Sequence, residues 1–358
     1  MQKVLFILPS LKPGGAERVF CSLLQSINRA DYELELLLIH PESENEYKLP
    51  AHIQVHRLNV EKVSRSIYKL LKYIRFKEPD CVYSTMAHLN MALLLISPFF
   101  PHKCRLYIRE ASVSSHNIKS EPYPRFMSFL YPKLYPWAEG IVCQSSYMKM
   151  DLCDQYNVAE EMCHVIPNPL LNQEKTGGGE VPPPLAMDAL ENEGPHLLSV
   201  ARLDPVKRHI DVIRSLPEWL KNYPLLHYWL LGDGPEEETL KAEVNHLGLN
   251  ERVHFMGYER DVIPWLKKAD LFIHCSLYEG FPNALLEAVA HGCPVLVRDH
   301  PGGTRELMTT VGLLKRLVPD LSLCDEFLEK PPESSRERVR EHYGVAKILK
   351  QYDELFAL

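Results

Sequence analysis

The chain is 358 residues long, 46% of them hydrophobic and 24% charged, with a formal net charge of −7. That length allows two domains of ordinary size, and the composition is that of a globular protein rather than a disordered or fibrous one. The charge argues against nucleic acid as a partner. Residues 1–170 carry 19 Lys/Arg against 17 Asp/Glu and the remainder 21 against 30, a weak balance where a concentrated basic surface is expected.

The opening apolar run, residues 4–8 (VLFIL), is too short for a signal peptide and meets Pro9 at once. The longest apolar run, 91–101, is about half a membrane span, so a chain that does not cross a bilayer is expected. Nine cysteines occur with no Cys-x-x-Cys pair. That argues against zinc and for reduced thiols in a cytoplasm.

In chain order, short β-like runs at 4–8, 34–39, 81–84, 106–108, 140–142 and 165–166 alternate with helical patterns over 16–29, 62–77, 87–97, 124–135 and 146–156. Residues 172–195, with Gly177 to Gly179 and Pro182 to Pro184, read as a linker. A second alternating set follows: strands at 196–201, 226–231, 253–255, 270–275 and 294–297, with helices at 207–222 and 235–247. The chain closes in helical material near 320–329 and 335–357. In its last stretch Ile348, Leu349, Tyr352, Leu355 and Phe356 repeat at helical spacing. Alternating strands and helices predict parallel sheets covered on both faces. The expected architecture is α/β, two doubly wound Rossmann-like domains facing a central cleft. The first domain is 1–171 and the second 196–342, with ligands beyond the carboxyl ends of the strands.

The densest chemistry lies between Glu279 and Glu287. The expected strand 270–275 runs into a turn with Gly280 and Pro282, and a helix starts near Asn283 and stops at Gly292. The first N–H groups of a helix lack internal partners and suit a phosphate or a sugar. Asn283 and Glu287, four apart, share a helix face. A bare pair of glutamates also fits two solvated carboxylates; the tight turn and the small Ala284 and Ala288 add the context. Residues 9–18 (PSLKPGGAER) leave the first strand, turn at Gly14 and Gly15, and start a helix. Such a loop is an anion site or an ordinary connection. Arg202 and Lys207 follow the first strand of the second domain, either a clamp for a diphosphate or two solvated charges. Residues 231–235 (LGDGP) are a structural turn, and no G-x-G-x-x-G occurs. His88 follows one strand of the first half, and Arg109 and Glu110 follow another.

Residues 62–77 hold six Lys/Arg and no acid, with Ile67, Leu70, Leu71 and Ile74 as an apolar stripe. The stripe can lie on an anionic bilayer or pack on the sheet. Residues 123–137 mix Arg125 and Lys133 with Phe126, Phe129, Tyr131, Tyr135 and Trp137, a composition suited to a membrane interface.

The stretch from Glu279 to Glu287, a Glu, seven residues and a Glu around Gly-Phe-Pro, closely resembles the signature of glycosyltransferase family 4, the retaining nucleotide-sugar enzymes of the GT-B fold. The Gly-Gly-Ala-Glu-Arg loop, the Arg202 and Lys207 pair, and the Gly-Asp-Gly-Pro turn match it too. Asn168 lies in Ile-Pro-Asn-Pro, where Pro169 replaces the family's usual Gly. Glu110 stands where some relatives have His, and the segment from Gly302 to Leu314 is shorter than usual. The resemblance implies transfer of a hexosyl or N-acetylhexosaminyl group from a nucleoside diphosphate sugar, a UDP-sugar, with retained configuration. The acceptor is a glycan or a polyprenyl-diphosphate-linked saccharide in surface polysaccharide biosynthesis. It assigns Glu279, Arg202 and Lys207 to catalysis. It assigns Gly14, Gly15, Gly257, Tyr258, Gly280, Phe281, Asn283 and Glu287 to the donor, and His88, Arg109 and Glu110 to the acceptor side. It also implies that the last helix, about 343–358, packs back on the first domain. No cofactor is implied. The chain has no Asp-x-Asp, so the cations take the place of a metal. The enzyme is expected in the cytoplasm, peripheral to the inner face of the membrane. The same donor residues would also serve a nucleotide-sugar epimerase of similar fold, or a binding protein without turnover.

Overall fold

The computed structural model describes residues 1–27, 31–44, 46–120, 124–171 and 194–357. Most of the expected linker (172–193), Tyr123, and the ends of two expected helices (28–29 and 358) lie outside the described residues. The chain divides into two compact units, Met1–Leu171 with Val345–Leu358, and Asn172–Gly344.

Among the described residues the first unit has seven strands: β1 Gln2–Leu8, β2 Tyr32–Leu38, β3 Gln54–Arg57, β4 Cys81–Thr85, β5 Arg105–Arg109, β6 Gly140–Cys143 and β7 Cys163–Val165. They pair in the order β3-β2-β1-β4-β5-β6-β7, all parallel. The central strands carry helices on both faces, so Val4 to Leu8 read as an unbroken apolar run and are all buried. β3 has the sequence QVHR, lies at the sheet edge and is half exposed. It offers no apolar run, which is why periodicity misses it.

The helix Val63–Lys77 turns Val63, Leu70 and Ile74 into the protein. Of the apolar stripe, Leu70 and Ile74 are therefore core packing, while Ile67 and Leu71 are part-buried. The expected helix over 335–357 is broken. Gly344 is extended, with φ −61° and ψ 142°, and separates Glu333–Tyr343 from Val345–Ala357. The last helix belongs to the first unit. Ile348, Tyr352, Leu355 and Phe356 are at most 2% exposed and join the core formed by Val4, Phe6, Phe20 and Tyr83. The Tyr83 hydroxyl donates to the Tyr352 hydroxyl at 2.9 Å, and the Arg105 guanidinium donates to the Phe356 carbonyl at 2.6 Å.

Among the described residues the second unit has six strands: β8 His196–Val200, β9 His227–Leu231, β10 Val253–Gly257, β11 Leu271–His274, β12 Val295–Arg298 and β13 Leu317–Val318. Their order is β10-β9-β8-β11-β12-β13, again parallel throughout. The chain winds outward in one direction from β8 to β10, then crosses to β11 and winds the other way. The reversal point is therefore between β8 and β11, where Leu271 pairs with Leu197. In the expected helical stretch 320–329 only Asp325–Leu328 is helical.

Candidate active site

At a reversal point the loops leaving two adjacent strands diverge and leave a crevice at their carboxyl ends. In the second unit those loops are 201–208 after β8 and 275–282 after β11. The first is pinned where it turns. The Asp204 carboxylate accepts from the Val206 N–H at 3.2 Å and starts the short 3-10 turn Pro205–Lys207. The Leu277 N–H donates to the Val206 carbonyl at 2.8 Å, tying the two loops together. The buried Cys275 sulfur lies 3.1 Å from the Lys207 carbonyl. Beneath, the Gly-Asp-Gly-Pro turn supports Ala201 and Leu203: the Leu203 N–H donates to the Asp233 carbonyl at 2.8 Å. Gly232 has φ +138°, and a Cβ there would run into the Ala201 carbonyl. The turn is a brace for the loop that carries Arg202.

This scaffold brings the Lys207 ammonium onto Oε1 of Glu279, with side-chain exposures of 24% and 14%. The Ser276 hydroxyl donates to the same oxygen at 2.9 Å. Burial pushes the Glu279 carboxyl up, but the charge and hydrogen bond of Lys207 overcome it and hold the group below its ordinary 4.5. Behind it stands His274, with Nε2 3.9 Å from Oε1. Arg202 is exposed on the same loop as Lys207.

Glu279 is also held by its backbone. Its N–H donates to the Pro301 carbonyl at 3.2 Å and its carbonyl accepts from the Gly303 N–H at 3.1 Å. The loop after β12 thus fixes the exit of β11. After Gly280 and Pro282 the helix Asn283–Ala290 begins, with Asn283 at its first position and Glu287 one turn on, 3% exposed. Phe281 is buried and packs on Tyr343 with ring centroids 5.5 Å apart. Its side chain anchors the turn. Gly257 closes β10 at φ +72°, followed by the half-exposed Tyr258.

In the first unit the reversal point lies between β1 and β4. Gly14 caps the helix Gly15–Ser26. A Cβ on Gly14 would meet the Glu17 carboxylate, which folds back over the helix start. Burial raises that carboxyl above 4.5. Beyond β4, Met86 takes φ +78°, a strained conformation for a residue with a side chain, and leads to the exposed His88. The other two expected acceptor-side residues are buried. Arg109 is 1% exposed, donating to the Asn168 side chain at 2.6 Å and to Thr85 at 3.3 Å. Glu110 is 3% exposed and accepts from Tyr135 at 2.5 Å and Ser114 at 2.8 Å. Burial raises its carboxyl.

The structure thus unites Lys207 and Glu279 and adds Ser276 and His274, which the sequence reading passed over. Both are polar residues at the end of an otherwise apolar strand, a signal present in FIHCS.

The model for glycosyltransferase family 4 matches residues 13–170, and the model for glycosyl transferases group 1 matches 188–312. The chain belongs to glycosyltransferase family 4. Among its relatives is the N-acetylgalactosamine-N,N'-diacetylbacillosaminyl-diphospho-undecaprenol 4-alpha-N-acetylgalactosaminyltransferase of Campylobacter jejuni. It is 29% identical, over 86% of this chain and 83% of the relative. The fold is GT-B. Sucrose-phosphate synthase from Thermosynechococcus elongatus superposes with a TM-score of 0.81 at 16% identity, covering 100% of this chain and 98% of that one. HepE of Anabaena, solved with UDP and glucose, gives 0.72 at 18% identity, covering 100% of both chains.

Proposed function

We propose that this glycosyltransferase moves a sugar from a UDP-sugar, with retained configuration and without a metal ion, to a polyprenyl-diphosphate-linked saccharide of a surface polysaccharide. The observation that carries the donor half is the Lys207–Glu279 pair at the reversal point, next to a helix N terminus. As the glycosidic bond lengthens, the sugar becomes oxocarbenium-like and the diphosphate gathers negative charge. Lys207, Arg202 and the first N–H groups of the helix at Asn283 lie where that charge develops. Glu279, kept ionised, accepts hydrogen bonds from sugar hydroxyls, and Glu287 accepts from the ribose. UDP is favoured by the HepE complex, and the lipid-linked acceptor by the Campylobacter relative.

The test is turnover with a panel of UDP- and GDP-linked glucose, galactose, N-acetylglucosamine and N-acetylgalactosamine, with and without a polyprenyl-diphosphate-linked saccharide, in EDTA. Transfer that needs the acceptor and survives chelation is expected. Complete loss of turnover in EDTA, restored by a divalent metal, overturns the donor site as drawn. An epimerised donor without transfer favours the epimerase.

An acceptor with a lipid tail brings the enzyme to a membrane surface in the cytoplasm. No described helix is long and apolar enough to span one. The contact we propose lies on the first unit, where Val63–Lys77 packs beside Ala87–Ile96 and that helix beside Pro124–Leu134. Their outer surface exposes Tyr68, Phe76, Phe126 and Phe129, with Phe99 and Trp137 beside them. Lys62, Arg65, Lys69, Lys72, Arg75, Arg125 and Lys133 are exposed among them. Each cation near an anionic surface contributes about 1 kcal/mol. Reversing Lys69, Lys72 and Arg75 to Glu should leave the protein in the supernatant when phosphatidylglycerol vesicles are sedimented at low salt, while the wild type pellets. Lys77 is left alone because it pairs with Glu35 at 2.8 Å. Equal recovery of both proteins in the supernatant points to a soluble acceptor.

A further inference from the structure

Two buried histidines stand behind Glu279. His274 ends β11 and His300 follows β12, and their Nε2 atoms are 3.2 Å apart. Two ring nitrogens at that distance need one proton between them. Its position follows from the other contacts. His300 Nδ1 lies 3.0 Å from the Pro301 carbonyl, which can only accept, so Nδ1 carries the proton. Burial lowers the pKa of His300, and that of His274 to about 3, so both rings are neutral at working pH. His300 Nε2 is then a bare acceptor. It receives the His274 Nε2–H and also the Thr304 hydroxyl, at 3.1 Å. One lone pair serves two donors, so neither hydrogen bond has its full strength.

The His274 Nε2–H therefore stands between two acceptors, His300 Nε2 at 3.2 Å and Glu279 Oε1 at 3.9 Å. Oε1 already accepts from Lys207 and Ser276. In the proposed transfer Lys207 sits on the diphosphate. When it turns there, a buried carboxylate loses its cation, and an ionised group left short of donors in such a place is driven toward protonation. A neutral donor on hand prevents that.

We infer that His274 and His300 are positioning residues for Glu279, a relay in which the His274 Nε2–H passes from His300 to Glu279 as Lys207 turns to the donor diphosphate. Thr304 keeps His300 satisfied when His274 leaves it. No proton changes owner; one N–H changes acceptor, and Glu279 stays ionised and aimed at the sugar. The inference rests on the nucleotide-sugar reading of the site.

The test measures affinity for the donor that turns over best in the panel and for its bare nucleoside diphosphate, in wild type, His274→Leu and His274→Gln. Glutamine places an amide N–H where His Nε2–H stood; leucine places none. His274→Leu should lose about 10- to 100-fold in affinity for the sugar nucleotide, the range of a hydrogen bond to a charged group, and nothing for the bare diphosphate. His274→Gln should recover most of it. Equal loss for both ligands, or no recovery with glutamine, makes His274 a packing residue and overturns the relay. The ring nitrogen shifts of the ligand-free wild type decide the matter without a variant. They should show the proton on Nε2 of His274 and on Nδ1 of His300, and a His274 protonated on Nδ1 overturns the relay. A wild type that binds no member of the panel overturns the donor reading instead, and the ring shifts still judge the pair.

Discussion

Lys207→Ala should lower turnover about 100- to 1000-fold, the cost of removing one preorganised group that stabilises developing charge. Two changes combine. The departing diphosphate loses a cation, and Glu279 loses the partner that holds its carboxyl below 4.5. Because the folded-state pKa lies below the ordinary value, the stability the pair contributes is present above about pH 4.5. It is lost as the pH falls through the lower, folded value. In the variant the leading remaining influence is burial, which acts upward. The Glu279 carboxyl should then titrate at higher pH than in the wild type, seen by carbon NMR of the labelled side chain. The fold should survive, since Asp204, Leu277 and Cys275 hold the loop through backbone atoms. Turnover near the wild-type rate would remove Lys207 from the mechanism.

How much of this the residues announce depends on whether a feature is local. Buried parallel strands read as apolar runs because both faces are covered, so β1, β4, β8 and β11 stand out in the sequence. β3 and β13 do not: one is an exposed edge strand of QVHR, the other only Leu317–Val318. The site divides along the same line. Glu279, Asn283 and Lys207 follow strands and lie at turns, which places them at carboxyl ends before any sheet order is known. That His300 touches His274 depends on β12 lying beside β11, and no pattern in the chain states which strands are neighbours. The helix Val63–Lys77 shows the limit of periodicity. Its apolar stripe is plain, but what covers it is not, and Leu70 and Ile74 prove to face the core. The cations and aromatics offered to a membrane are those left over on the other side. Arg109 and Glu110 also follow a strand, and the sequence does not announce that both are buried and hydrogen-bonded to Asn168, Thr85, Tyr135 and Ser114.

Gly302→Ala should damage both stability and activity, while Gly303→Ala, one residue on, should do little. Gly302 has φ +122°, a region L-residues rarely enter, and a Cβ there would stand against the Glu279 carbonyl oxygen. The backbone strain costs about 1–3 kcal/mol. Overlap with a neighbour that cannot yield costs about 1–3 kcal/mol more. Glu279 cannot yield freely, because Pro301 and Gly303 hold its N–H and carbonyl and Gly302 bridges to it. Relief therefore requires the exit of β11 to move, and the carboxylate moves with it. A displacement of about 1 Å at such a group costs about 100-fold in rate. Gly303 sits at φ −74° and ψ −6°, which alanine adopts without strain. Thermal unfolding and turnover of the two variants side by side make the comparison. If Gly302→Ala melts and turns over like Gly303→Ala, the loop after β12 does not set the position of Glu279, and the carboxylate must be held by Lys207 and Ser276 alone.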